Sequence, residues 1–336
     1  MNRFVDIDLS RLPVPDALTP LDHDGTLTGR ISDLKYRFDQ AEIPWQVGGL
    51  KANPLVIVEE HATTYDLNHV AMVNDAVRGT LLASAGGADL EHKAAEFGVV
   101  RQVLVPADPD ANPPTDAVME SDESLRRRRQ LAVEALSTAG PEGAYKFFGL
   151  AAHPHVSDVA VFDPHSELCG DGEALLVIAS NQGDAIPTDQ VLDSVADFLD
   201  ARIINYAVTP KRTRAIDRRQ KLRPLTDKVI VEACTGLDYQ VTAVLKVPYG
   251  PGVDVIRAAA EERLLAYLES RRKIGFIVSD SAIAAAVHVA DSNGVALVED
   301  ADITIEVEGS HVADVIPEPK QLARVTSVVV TVEVLS

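Results

Sequence analysis

Residues 53–80 read NPLVIVEEHATTYDLNHVAMVNDAVRGT, and their spacing decides how the first third of the chain folds. Asn53-Pro54 suits a helix N-terminus, because a proline at the first helical position loses no hydrogen bond. From there Val56, Glu60, Thr64, Leu67, Ala71 and Ala76 recur near a 3.6-residue period, with Met72 and Val73 beside them. The helical reading extends over 53–98. Gly86-Gly87 breaks it, Ala88 to Phe97 forms a short further helix, and Gly98 takes its C-cap position. Residues 26–40 read as helical too. A long amphipathic stripe must be buried against something, and this part of the chain has few strands to cover it. Leu67, Val70, Met72 and Val73 are therefore candidate subunit-interface residues.

Working outward, residues 1–24 contain Pro13, Pro15 and Pro20, each of which fixes φ and removes a backbone donor. They read as an extended arm that lies on a partner or stays loose. The 25–104 region is the helical part, and the stretch 105–123, rich in Pro, Asp and Ser, reads as a linker. Residues 124–139 predict a helix, Gly140 stops it, and Pro141 opens another that ends at His153-Pro154. Strands at Val156–Phe162 and Glu173–Ser180, a helix at Thr188–Asp200 and a strand at Val229–Cys234 complete a middle module over 124–235. In a second module, 236–336, Tyr239, Val241, Ala243, Leu245 and Val247 alternate with Gln240, Thr242, Val244 and Lys246. A helix from Pro251 and Asp254 carries Ile256, Ala260, Leu264, Tyr267 and Leu268, with Gly275 after it. Ser279–Ala290 predicts a second helix, and strands at Val295–Val298, Ile303–Val307 and Ser327–Val334 end the chain. The predicted class is α+β: an N-terminal helical, bundle-forming region followed by two small mixed α/β modules.

The chain has 336 residues, 46% of them hydrophobic, which suits two or three domains with sizeable cores. A formal net charge of −20 opposes long-range attraction to nucleic acid and to anionic membranes. Two cysteines, Cys169 and Cys234, are too few for a disulfide framework or a thiolate zinc site. The first residues show no apolar signal-peptide core, and no apolar run reaches the length of a membrane span, so synthesis and folding in a cytoplasm are expected.

Some segments resemble chemistry. Asp22-His23-Asp24-Gly25-Thr26-Leu27 has the form of a haloacid dehalogenase nucleophile motif, in which the first Asp attacks a phosphoryl group and the second is the acid/base. Such an Asp must end a buried strand, and the preceding Pro13, Pro15 and Pro20 exclude one. A polar helix start is the favoured reading, with a phosphatase as the alternative. His153, His155, His165, Cys169 and Asp171, near Asp158 and Asp163, are metal-ligand types without a tetrahedral spacing. No cofactor or metal is expected. The run Arg126–Arg129 points to several helix faces, so solvated arginines paired with Asp122 and Glu123 are expected. Residues 211–223 hold Lys211, Arg212, Arg214, Arg218, Arg219, Lys221 and Arg223, the most basic segment of an acidic chain. A solvated loop and a protein-contact arm weigh equally there; a nucleic-acid adaptor trails both, because only Tyr206 is near to stack on bases. Arg212, Arg214, Arg218 and Arg219 join the candidate interface residues.

Several stretches together resemble one family. Met72-Val73-Asn74-Asp75-Ala76-Val77-Arg78, then Gly86-Gly87-Ala88-Asp89-Leu90 and Phe97-Gly98-Val99, look like the baseplate J-like proteins of contractile phage tails. So do Glu120-Ser121-Asp122-Glu123-Ser124-Leu125-Arg126-Arg127-Arg128, Ser137 to Tyr145, and Arg223-Pro224-Leu225-Thr226-Asp227-Lys228-Val229, with Asp8 to Pro13 and Pro20-Leu21-Asp22 at the start. The resemblance implies an architectural, non-enzymatic protein of the virion tail baseplate or of a related injection particle. It implies as partners a second copy of the chain, a tail protein I-family subunit, the sheath-initiator and wedge proteins and the central spike region, and neither membrane nor nucleic acid. It also implies a bundle of shared N-terminal helices and a C-terminal part that links wedges into a ring. The basic segment 201–222 departs from the family pattern and reads as an insertion. Glu42–Lys51 also matches poorly.

Overall fold

The computed structural model of the chain describes residues 7, 9, 12–46, 53–137, 139–203, 222–224, 226–249, 252–291 and 294–335. The architecture is α+β, as the residue patterning predicts. Two compact units are formed, one from Met1–Arg101 with Ser121–Arg129, the other from Gln102–Glu120 with Gln130–Ser336.

The first unit holds α1 (His23–Gln40), α2 (Pro54–Thr80), α3 (Gly87–Ala95) and α4 (Asp122–Leu131) as far as Arg129. The Asp22 carboxylate accepts from the Gly25 amide at 2.9 Å and starts α1. The Asn53 side chain accepts from the Leu55 amide at 3.0 Å and starts α2 ahead of Pro54. Each cap satisfies a backbone donor that the first helical turn leaves orphaned. The apolar core of this unit is small and lies around α3 and α4: Ala85, Leu90, Ala94, Val99 and Leu125.

The arginine run of α4 differs from the sequence expectation. Arg126 does pair with Glu123 at 2.8 Å. Its guanidinium also donates to the carbonyls of Leu82 at 2.8 Å and Ala85 at 2.7 Å. Arg128 donates to Val100 O at 2.7 Å, and Arg129 donates to Lys93 O at 3.1 Å while stacking 3.7 Å from the Phe97 ring. These donors are directed inward because the segments after α2 and α3 expose carbonyls that their own helices cannot use.

The second unit contains the short hairpin β1 (Val103–Val105) and β2 (Val118–Met119), which lies across the end of the expected helical region 25–104 and the expected linker 105–123. It continues with α5 (Glu142–Ala152), β3 (Val156–Phe162), β4 (Glu173–Ser180), α6 (Asp189–Leu199), β5 (Arg202–Ile203) and β6 (Lys228–Ala233). Then follow β7 (Thr235–Pro248), α7 (Val253–Ser270), β8 (Val278–Ser279), α8 (Asp280–Val287), β9 (Asp300–Val307), β10 (Ser310–Val312), β11 (Asp314–Val315) and β12 (Gln321–Leu335). The first sheet has the order β3-β4-β6-β5, antiparallel between β3 and β4 and parallel elsewhere. Its β4 is apolar on both faces, and both are covered. Leu176 and Ile178 pack with Phe148, Val191, Val195 and Leu199 of α5 and α6. Leu175, Val177 and Ala179 pack with Cys234, Ile274 and Leu322.

The second sheet has the order β10-β9-β7-β12, with β7 and β12 parallel over most of their length. Here the alternation in the sequence is realised: Tyr239, Val241, Ala243, Leu245 and Val247 are buried, and Gln240 and Thr242 are exposed. Ala260, Leu264 and Leu268 of α7 and Ile283 and Val287 of α8 cover the inner face. On the outer face Lys246 Nζ lies 2.8 Å from Asp300 and 3.0 Å from Asp302.

Two element expectations are corrected. Val295–Val298 is no strand; it contributes a single bridge, Ala296 to Ala290, because the Asp291 carboxylate accepts from the Val295 amide at 2.8 Å and Gly294 turns at φ +82. The helix expected over 124–139 ends at Leu131, and a 3-10 turn, Glu134–Leu136, follows.

Gly149 of α5 faces Val159 of β3 so closely that an added Cβ would stand 2.8 Å from Val159 Cγ2. Gly149→Ala is expected to lower stability by about 1–3 kcal/mol, read from a urea midpoint. The Asp158 carboxylate is buried and accepts from the Ile274 amide at 2.9 Å, tying the first sheet to the segment after α7. Asp158→Ala leaves that amide unpaired and is expected to cost about 1–3 kcal/mol in the same measurement.

Candidate functional site

The longest helix of the first unit, α2, carries several exposed apolar side chains. Of the 27 residues of α2, those buried are Thr63 and Asn74, both polar, and α1 buries none. Ile57, Val58, Tyr65, Met72 and Val73 are exposed, Met72 at 68% and Val73 at 59%. Leu67 and Val70 are half-buried. The four helical candidate residues therefore fall on one element at two depths.

Polar bonds hold this helix in place. Arg30 of α1 reaches Glu59 at 2.8 Å and Asp66 at 2.7 Å, two turns apart on α2. Asn74 binds the incoming arm: its side chain accepts from the Thr19 amide at 3.0 Å and donates to the Thr19 carbonyl at 2.8 Å. The arm, read from its prolines as loose or lying on a partner, is thus tied at Thr19 to its own chain. An asparagine amide sets an NH2 donor beside a carbonyl acceptor, and so can pair with both the amide and the carbonyl of one extended residue. Its position inside Met72 to Arg78 was visible in the sequence; its partner, 55 residues upstream, was not.

At the base of the unit, Asp122 of α4 accepts from the Gly87 amide at 3.0 Å and from Arg101 at 2.7 Å. The Gly87 amide and then the Arg101 guanidinium hold its carboxyl below the usual aspartate range. Arg101 also pairs with Glu91 at 2.7 Å.

The segments that resemble chemistry have other employment. Asp22 is a helix cap, and Asp24 points to solvent on the first turn of α1, 3.3 Å from His23. Residues 12–21 ahead of them form no strand. His153 Nδ1 accepts from the His155 amide at 3.1 Å, and burial lowers the His153 pKa. His155 contacts Asn181 at 3.1 Å and Gln182 at 3.0 Å. Cys169 contacts the Phe162 carbonyl at 3.5 Å, and burial pushes the Cys234 thiol up to about 12. Among the described residues no three ligand-type side chains gather around one point. Arg212, Arg214, Arg218 and Arg219 lie outside the described residues. After that segment in the chain, Arg223 donates to the carbonyls of Leu199 at 3.0 Å and Asp227 at 2.5 Å.

Residues 52–108 match the model of the Baseplate J-like N-terminal domain, and 137–233 match that of the Baseplate J-like central domain. The first match takes in α2 and α3, the second α5 to β6. Over 285 residues the chain is 34% identical to Baseplate protein J of Escherichia phage P2, covering 84% of this chain and 87% of that protein. A chain in the cryo-EM structure of the anti-feeding prophage baseplate is similar at a TM-score of 0.39 and 10% identity, over 63% of this chain and 44% of that one. With a third of the aligned residues identical over 87% of a phage baseplate protein, this chain belongs to the baseplate J-like family, a structural component of the tail baseplate.

Proposed function

We propose that the chain is a wedge subunit, whose N-terminal helices share a bundle with a second copy and a tail protein I-family subunit. Its C-terminal part then links wedges into a ring around the central spike, beside the sheath-initiator protein. The observation that supports this reading is the inverted burial of α2, where polar Thr63 and Asn74 are buried and Met72, Val73, Ile57, Val58 and Tyr65 are exposed. Burying one such apolar side chain is worth about 1.5–3 kcal/mol. Five together match the association cost of about 4–15 kcal/mol. The role is architectural and needs no reacting group, in keeping with Asp22 serving as a helix cap.

The basic insertion belongs to the same reading. Copies of a chain with net charge −20 repel one another around a ring. Arg212, Arg214, Arg218 and Arg219 are proposed to reach an acidic face of a neighbouring subunit, and not DNA. Each exposed pair contributes only about 0.2–1 kcal/mol, so the effect rests on several acting together.

Met72→Asp with Val73→Asp is expected to leave the circular dichroism and the melting temperature of the isolated protein nearly unchanged, since both side chains face solvent. The same variant should fail to co-assemble with its I-family partner and to complement tail formation; normal particles would refute the helical interface. Leu67 and Val70 are less suitable, because half-buried positions also report on the chain's own packing. Changing Arg212, Arg214, Arg218 and Arg219 to Glu is expected to weaken subunit association, and the wild-type association should fade as salt rises from 50 to 500 mM, about a threefold fall in Debye length. Salt-independent assembly would remove the clamp.

A further inference from the structure

The longest strand of the protein is also an edge. Among the described residues β12 pairs with β7 on one side, and on the other only its first residues are met, by the bridge of Leu322 to Ile274 and the Gly275 amide on Gln321 O. Residues 323–335 present an open edge of about 40 Å at 3.3 Å per residue. From Val325 to Leu335 the sequence is VTSVVVTVEVL, in which Glu333 is the one charged residue. Long, flat, β-branched edges without lysine, proline or inward charge pair readily with another strand, and proteins normally protect them. This one carries none of those protections beyond a register shift between Val325 and Ser327. Val334 lies opposite Val247 in register and is still 43% exposed, so the inner face of the sheet is incompletely covered at this border.

We infer that β12 pairs antiparallel with β12 of a second copy about a twofold axis near Val330, joining the two four-stranded sheets into one of eight strands. The inference rests on the assembly role proposed above and gives it a second surface, on the second unit. Three observations select a second copy as the occupant. First, a strand paired with itself about a twofold must be self-complementary, and this one is. The register centred on Val330 sets Val328 against Val332 on the inner face, and Val329 against Thr331 and Ser327 against Glu333 on the outer face. No like charges meet. Second, two chains of charge −20 repel over most of their surfaces, and this border is nearly neutral. Third, the opposite border of the same sheet is β10, three residues long, so pairing through β12 closes at two copies and does not run on as a fibre.

The test uses the full chain in sedimentation velocity at micromolar concentration, in the Met72→Asp, Val73→Asp background so that the helical surface does not contribute. Val329→Lys with Thr331→Lys puts lysines directly opposite one another in two symmetry-related pairs, on the exposed face and clear of the core. The dimer of the background protein is expected to weaken about tenfold or more. Val329→Glu with Thr331→Glu should weaken it likewise, and an equimolar mixture of the two variants should restore it. A background protein that is monomeric while the unmodified chain dimerises overturns the β12 pairing and leaves the helical interface standing. A dimer indifferent to both charge pairs also overturns it. Amide exchange gives a readout free of substitutions: 325–335 should be protected at dimeric concentrations and exchange faster on dilution, and equal exchange at both concentrations counts against the pairing.

Discussion

Carbonyls left over at the ends of helices must find donors, and in the first unit the arginines of α4 provide them. Arg126 serves Leu82 and Ala85, Arg128 serves Val100, and Arg129 serves Lys93. These bonds fix the ends of α2 and α3 without drawing on apolar area. A unit whose described residues include five buried apolar side chains is held also by forks of charged donors, each stronger than a neutral hydrogen bond. Alongside these bonds, α2 leaves Ile57, Val58, Tyr65, Met72 and Val73 exposed, with Leu67 and Val70 half-buried. Polar tethering of a helix and an apolar outer face go together, and the combination is what a subunit that completes its core on assembly requires.

The second unit follows the opposite rule. Its first sheet is covered on both faces and its second on one, with the uncovered face carrying Gln240, Thr242 and Lys246. The apolar cluster around Leu175, Val177 and Ala179 draws Ile274 and Leu322 from the C-terminal sequence onto the first sheet, and Asp158 caps the Ile274 amide at its edge. Most of the large apolar side chains of the two sheets are buried within the chain, and the border strand β12 is left without a neighbour along most of one edge. A rigid body with one apolar edge and a helical hairpin with one apolar face are two different ways of leaving a surface unfinished.

Family membership and physical reading agree on an architectural role and draw on separate observations. The match to Baseplate protein J of phage P2 rests on residue identity along the chain. The physical reading rests on Asp22 as a helix cap, on His155 held by Asn181 and Gln182, and on the inverted burial of α2.

The sequence by itself determined the local elements. Pro54 after Asn53, the alternation from Tyr239 to Val247 and the apolar run in Glu173–Ser180 act over one turn or one strand, so they are legible without a fold. It also determined the family, because that information lies in the order of residues. It pointed to a solvated arginine run, since four consecutive arginines look solvated until the carbonyls of residues 82–100 are brought beside them. It gave Asn74 no partner, since Thr19 is 55 residues away. It assigned a strand to Ser327–Val334 without revealing that this strand is a border, for a border is defined by which strand fails to arrive. Tertiary structure alone decided those three points, because each depends on groups distant in the chain meeting in space, and one-dimensional periodicity carries no record of such meetings.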